Sequence, residues 1–279
     1  MTAVPGSACA GSAPSGSAVA DAPALVLRHD ANGVTTLTLN RPAARNALSR
    51  AMMSALHQQL NAVAADPSVR VVVLAAAGPV FCAGHDLKEM RAAPDQAAHL
   101  ATFRQCARLM TSLVRLRQPV IAKVQGTATA AGCQLVASCD LAIAAEQAQF
   151  ATPGVNIGLF CSTPMVALSR AVPAKAAMEM LLTGEPIGAA EAVRIGLVNR
   201  AVPAAALDGT VADLAACIAA KSTRVLALGK ESFHRQREMD LGTAYAYTAE
   251  VMALNMGLAD AAEGIDAFLG KRPPVWPQD

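Results

Sequence analysis

Two short segments carry the residue types that could bring backbone chemistry to a ligand. They are Phe81-Cys82-Ala83-Gly84-His85-Asp86-Leu87 and Gly126-Thr127-Ala128-Thr129-Ala130-Ala131-Gly132-Cys133-Gln134. Small side chains let the main chain come close enough to a bound molecule for N–H groups to crowd a carbonyl oxygen. Donors fixed in a dry site stabilise negative charge developing on that oxygen, and losing one typically costs roughly 3 to 4 kcal/mol of barrier. His85 stands inside the first segment, and its unperturbed pKa near neutrality makes it the titratable group best suited to meet the bound molecule. Asp86 opens Asp86-Leu87-Lys88-Glu89, a capping-box-like pattern that reads first as a helix N-cap. Cys82 and His85 have a metal-like spacing, but no partner pair follows, so no metal site is expected.

These segments need a scaffold, and the chain from Leu25 alternates strand-like and helix-like stretches. Val34 to Leu39 alternates Thr with apolar residues, the period of a half-buried strand. Met52, Met53, Leu56, Leu60 and Val63 recur at helical spacing, with Ser49 as N-cap and Asp66-Pro67 as the stop. Val69 to Ala75 is a continuous apolar run, as a strand covered on both faces requires. A second amphipathic helix over Ala97 to Arg117 leads into a strand at Val120 to Val124. A short helix running to Ser138 precedes another strand at Leu141 to Ala144. Such alternation predicts an α/β core of mostly parallel strands over residues 24–205, followed by a helical region over 206–279.

Composition narrows the function classes. With 279 residues and 53% hydrophobic content the chain can bury a full core. A net charge of +2 gives no reason to expect a polyanionic partner. Arg104, Arg108 and Arg115 share a helical face, read as solvated or intersubunit, so nucleic-acid binding is not expected. Seven irregularly spaced cysteines fit a reduced compartment better than a disulfide framework. Residues 1–23 are rich in Ala, Gly, Ser and Pro and lack both a basic residue and a compact apolar stretch. They read as a disordered tail, neither secretory signal nor transit peptide, and a cytoplasmic location follows as the expectation. Gly, Pro, Lys123, Gln134 and Asp140 interrupt the most apolar stretches, so no membrane span is expected. No nucleotide-cofactor loop or Gly-x-Ser-x-Gly motif is present.

The two small-residue segments, together with Asn40-Arg41-Pro42, Asn46-Ala47-Leu48, Leu182-Thr183-Gly184-Glu185, Gly196-Leu197-Val198-Asn199 and Phe268-Leu269-Gly270-Lys271-Arg272, resemble the crotonase (enoyl-CoA hydratase/isomerase) superfamily in sequence order. The wording of Ala128 to Asp140 and of Phe150 to Asn156 is most similar to the branch of enoyl-CoA hydratase domain-containing proteins. The resemblance implies a core of repeated ββα turns, a C-terminal helical region, and a homotrimer or dimer of trimers. It also implies an acyl-CoA substrate and no further cofactor.

By that match Ala83 and Ala131 are the N–H donors to the thioester oxygen, with Gly84 allowing close approach. Gln134 and Gly154 stand where the resembling hydratases carry two catalytic glutamates. An amide cannot take up a proton from water and a glycine has no side chain, which argues against efficient hydration. Asn156 and Cys161 lie near the vacant second position, and Arg45 and Lys271 are candidates for the CoA phosphates. The Ala-Gly-His-Asp string also resembles methylmalonyl-CoA decarboxylase, whose histidine at this position meets the substrate carboxylate. Three functions follow as expectations: a lyase or isomerase working through a thioester enolate, a decarboxylase-like enzyme using His85, or a non-catalytic acyl-CoA-binding or assembly subunit.

Overall fold

The computed structural model describes residues 1–2 and 23–277, so most of the tail read over residues 1–23 lies outside the described residues. Strands β1 (Val26–Ala31) and β2 (Val34–Leu39) form an antiparallel hairpin whose turn residues, Asn32 and Gly33, both have positive φ. That pair is the chemistry of a tight right-twisted hairpin. From β2 the sheet continues in parallel through β3 (Val71–Ala76), a strand at Val120–Val124, one at Leu141–Ala145 and one at Arg200–Val202. Between β2 and β3 runs helix α1 (Arg50–Ala64), started by Ser49, whose hydroxyl accepts from Met52 N. Its apolar stripe of Met52, Met53, Leu56, Leu60 and Val63 is buried throughout.

A second, smaller sheet interleaves with the first. After β3 comes β4 (Val80–Cys82), then helices α2 (Leu87–Ala92) and α3 (Gln96–Arg115). Next follow β5 (Val120–Val124), β6 (Thr127–Thr129) and α4 (Ala131–Ser138), and then β7 (Leu141–Ala145) and β8 (Gln149–Ala151). Strands β3, β5 and β7 join the large sheet while β4, β6 and β8 lie side by side in the small one, closed by the antiparallel β9 (Ile187–Gly188). Two strands and a helix thus form a repeated step. Helix α3 begins one residue before the expected start because Asp95 caps it, accepting from Ala98 N. It ends at Arg115, where Leu116 turns extended.

Alternate residues of β3 divide between two cores, which accounts for its unbroken apolar run. Val72 and Leu74 join the main cluster, while Val71 and Val73 face the other way with Ile121 and Ile143. That second face is covered by Leu207, Val211 and Ala215 of α8 (Leu207–Ala219), so the packed core continues beyond residue 206. Helices α5 (Pro164–Ala171), α6 (Ala174–Thr183) and α7 (Ala189–Arg194) lead to β10 (Arg200–Val202). The chain closes with α9 (Thr223–Gln236), α10 (Leu241–Met256) and α11 (Ala259–Leu269). Lys230 of α9 is the tie to the core: its buried ammonium donates to Leu113 O at 3.1 Å, Gln118 O at 3.0 Å and Asp140 Oδ2 at 2.6 Å. No helix among the described residues is long and apolar enough to cross a membrane.

The first turn of α4 presses against the end of β4. A methyl at Gly132 would lie 2.1 Å from the carbonyl oxygen of Cys82, a backbone atom with no freedom to retreat. Gly132→Ala should therefore destabilise by about 1 to 3 kcal/mol or more through overpacking. Gly209, inside α8, has nothing within 4 Å of such a methyl. Gly209→Ala should gain up to about 1 kcal/mol. Urea midpoints of the two variants should move in opposite directions, and an unmoved midpoint for Gly132→Ala would mean that α4 does not rest on β4.

Candidate active site

Strands β4, β6 and β8 run parallel, with Cys82 opposite Ala128, Ala128 opposite Phe150 and Thr129 opposite Ala151. The chain leaves their carboxyl ends at Ala83, Ala130 and Thr152, so three irregular segments meet at one edge. Carboxyl ends of parallel strands are where open α/β sheets gather ligands.

Each N–H of the first segment can be traced to an acceptor or found free. Ala83 donates to Arg45 O at 3.1 Å and Asp86 to Leu48 O at 3.4 Å, while Leu48 donates to Gly84 O at 2.8 Å. Gly84 N–H is turned to the Cys82 thiol. The N–H of His85 has no acceptor among the described residues. This corrects the expectation for Ala83: its N–H is consumed in holding the 45–48 segment. In the bridge between Leu48 and His85, alternate residues point opposite ways, which leaves His85 as the donor facing outward.

Ala131, the other expected donor, opens helix α4. Helix α4 starts without a side-chain cap, and Ala131 N–H has no acceptor among the described residues. Orphan N–H groups at a helix start, reinforced by the helix dipole, favour a negative or partly negative oxygen. Ala130 holds the turn at φ 49°, ψ −117°, a conformation that strains any residue with a Cβ. Gly84, at φ +89°, fits against it: a methyl there would lie 2.9 Å from Ala130 Cβ and 3.3 Å from Ala131 N. The two donor segments are therefore in direct contact.

One face of α3 forms a wall joining them. Phe103 meets the His85 ring edge-on at 5.5 Å between centroids, and one turn on Cys106 Sγ lies 3.8 Å from Gln134 Oε1. Both ring nitrogens of His85 are buried and lack a hydrogen-bond partner. Burial pushes the imidazole below the ordinary histidine value, opposed by the nearby Leu48 backbone and the Glu89 charge. Burial thus favours the neutral form of the ring. Gln134 is 4% exposed. Cys161 lies against Gly154, where an added methyl would stand 2.4 Å from Leu159 O and 2.9 Å from the Cys161 sulfur. Burial raises the Cys161 thiol, with the Gly154 N–H opposing, and raises the Cys133 thiol of α4 to about 12 with the Cys161 charge adding. Neither is a thiolate nucleophile at neutral pH.

The remaining candidates sit apart from this edge or serve the frame. Asp86 caps α2, accepting from Lys88 N at 3.1 Å and Glu89 N at 3.2 Å, and it pairs with Arg41 at 2.7 Å. The capping box is half formed, because Glu89 reaches Arg50 N instead. Asn156 is exposed, with its amide beside Gly184 at the end of α6. The side chains of Arg45 and Lys271 are exposed and make no bond to another described residue. Asn46, fully buried at positive φ, donates to Ala77 O and Val80 O and accepts from Arg41 N, fixing the Asn-Arg-Pro segment beneath β4. Among the described residues no group of three His, Cys, Asp or Glu side chains is arranged to hold a metal ion. Phe103 and Cys106 carried no signal of their own in the sequence; only their spacing of three on an amphipathic helix pairs them on one face.

Residues 29–279 match the family described as enoyl-CoA hydratase/isomerase. The human enoyl-CoA hydratase domain-containing protein 3, mitochondrial, is 49% identical over 88% of this chain and 81% of its own length. The rat protein of that name is 47% identical over 91% and 85%. Among solved structures, an enoyl-CoA hydratase from Mycobacterium smegmatis is 54% identical with a TM-score of 0.89, covering 90% of this chain and 98% of its own. The human domain-containing protein 3 is 48% identical with a TM-score of 0.88, covering 90% and 100%. The mitochondrial names of the curated relatives overturn the cytoplasmic expectation. With the interleaved ββα steps and the helical C-terminal region of the crotonase fold, the chain belongs to the enoyl-CoA hydratase/isomerase family, in its branch of enoyl-CoA hydratase domain-containing proteins.

Proposed function

We propose that this protein binds an acyl-CoA and stabilises the enolate of its thioester, with the N–H groups of His85 and Ala131 as the oxyanion donors. The observation that carries the reading is that these two N–H groups are free and lie on either side of the Gly84 contact. A thioester oxygen seated there accepts both. Its developing charge meets fixed dipoles and the start of α4, so little reorganisation is needed when the α-carbon is deprotonated or the β-carbon attacked. The ring of His85 is the nearest group able to shuttle a proton, and Arg45 and Lys271, both solvent-facing, are offered to the CoA phosphates.

The reading favours lyase or isomerase chemistry with weak hydration. Gln134 supplies no base, and the backbone around Gly154 leaves no room for a carboxylate side chain. A non-catalytic acyl-CoA-binding subunit is the second reading, favoured by the same two positions. Hydration of crotonyl-CoA should therefore run at least about 10²-fold below an ordinary rate of order 10 per second. Gln134→Glu should raise it by about tenfold or more, followed by loss of the enoyl thioester absorbance. Wild-type turnover of order 10 per second would show that another residue carries the protons. Isomerisation and decarboxylation assays on the same preparation separate an enzyme from a binder.

The donor pair has its own test. With butyryl-CoA carrying a ¹³C thioester carbonyl, the bound C=O stretch should fall in frequency relative to free ligand, and Gly84→Ala should reduce that fall. A bound ligand whose carbonyl keeps its solution frequency would place the thioester elsewhere.

We also propose self-assembly as a homotrimer or dimer of trimers. Leu241, Tyr245, Met252, Leu254 and Met256 of α10 and Phe268 and Leu269 near the end of α11 are exposed, and Ala244 is the one buried residue of α10. So much apolar surface on one outer layer marks a partner face, and a second copy is the partner proposed. Sedimentation velocity should give three or six copies, and a monomer at micromolar concentration would defeat the proposal.

A further inference from the structure

Gln134 has two polar ends and the fold has engaged one of them. Its Oε1 faces Cys106 Sγ at 3.8 Å, and Cys106 is fully buried on α3. Burial raises that thiol to about 12, so it is an S–H donor and never a thiolate at neutral pH. A thiol donates weakly, but the alternative orientation would aim both N–H groups of the amide at a poor acceptor. The amide nitrogen of Gln134 is left without an acceptor among the described residues and is not among the enclosed polar atoms. It is the polar atom that Gln134 can offer to a bound molecule.

On the same face of α3, Phe103, one helical turn before Cys106, meets His85, whose two ring nitrogens are buried with no partner. Unsatisfied buried polar atoms cost free energy until a ligand meets them. The charge that acts on His85 is the Glu89 carboxylate, while its chain neighbour Asp86 is paired with Arg41. An acyl chain ending in a carboxylate would meet negative charge here, whereas a neutral oxygen would meet donors.

We propose that Cys106 is a positioning residue that turns the Gln134 amide N–H groups toward the acyl chain, so that the site favours acyl-CoAs bearing a neutral oxygen acceptor over plain alkyl thioesters. The inference rests on the thioester reading above and adds a chemical class to it.

Calorimetric titration of the full-length protein with butyryl-CoA, 3-hydroxybutyryl-CoA, 4-hydroxybutyryl-CoA and succinyl-CoA tests it. At least one hydroxyacyl ester should bind about tenfold tighter than butyryl-CoA, as one added hydrogen bond allows, and succinyl-CoA should gain nothing. Cys106→Ala should shrink that preference below about twofold by weakening the hydroxyacyl ester more than butyryl-CoA, and Cys106→Ser, which keeps a donor, should restore it. Gln134→Met should abolish the preference as well, which covers the case of a poorly folded Cys106 variant. Equal binding of alkyl and hydroxyacyl esters to the wild type would overturn this inference and leave the thioester reading standing. Equal weakening of both by Cys106→Ala would reduce Cys106 to packing and overturn it too. If no CoA ester bound, both would fall.

Discussion

A backbone N–H can serve a ligand only where the fold leaves it free while satisfying the groups around it. Around Gly84 that condition is met by assigning Ala83 to Arg45, Gly84 to the Cys82 sulfur and Asp86 to Leu48, with His85 left over. The assignment depends on the 41–48 segment lying alongside as a partial strand, and that segment depends in turn on Asn46. Its side chain answers Ala77 and Val80 while its backbone takes a left-handed turn that asparagine tolerates better than most residues. The free N–H of His85 is therefore an outcome of hydrogen-bond accounting in the residues around it.

The same dependence explains what could be read from the chain in advance. Strand and helix periods in Val34 to Leu39, in α1 and in α3 are local properties, and side-chain burial in the fold agrees with them. Ala131 could be recognised because a helix start leaves its N–H groups unpaired wherever it occurs. Ala83 was misread because the acceptor of its N–H, Arg45 O, lies far back in sequence, and nothing in the type of either residue announces the bond. Cys106 and Phe103 were invisible for a related reason: they look like ordinary members of an apolar stripe, and their meaning comes from which residues the opposite wall presents. The crowding at Gly154 likewise belongs to the return of the chain at Leu159 and Cys161.

The outer helices are joined to this arrangement through few polar contacts. Lys230 gathers carbonyl groups from the end of α3 and the approach to β5, along with the Asp140 carboxylate that also accepts from Val120 N. Asp140 lies two residues past α4, so Lys230, with His234 of α9 3.6 Å from the same carboxylate, ties α9 to the helix that supplies Ala131 and Gln134. Asp140 keeps 20% of its side chain exposed, so removing one partner should cost less than the roughly 3 to 5 kcal/mol typical of a fully buried pair. Helices α10 and α11 extend beyond that anchor with their apolar faces outward.

Strands of three residues are too short to hold themselves, yet β4, β6 and β8 carry Phe81 and Phe150 into the core with no exposed surface. The small sheet is thus anchored in the body of the protein through its phenylalanines, and the free N–H groups at its edge are carried by packed structure. On the proposed reading, association would be limited by encounter and by the shedding of water, with residence time set by how well an acyl chain meets the wall of α3.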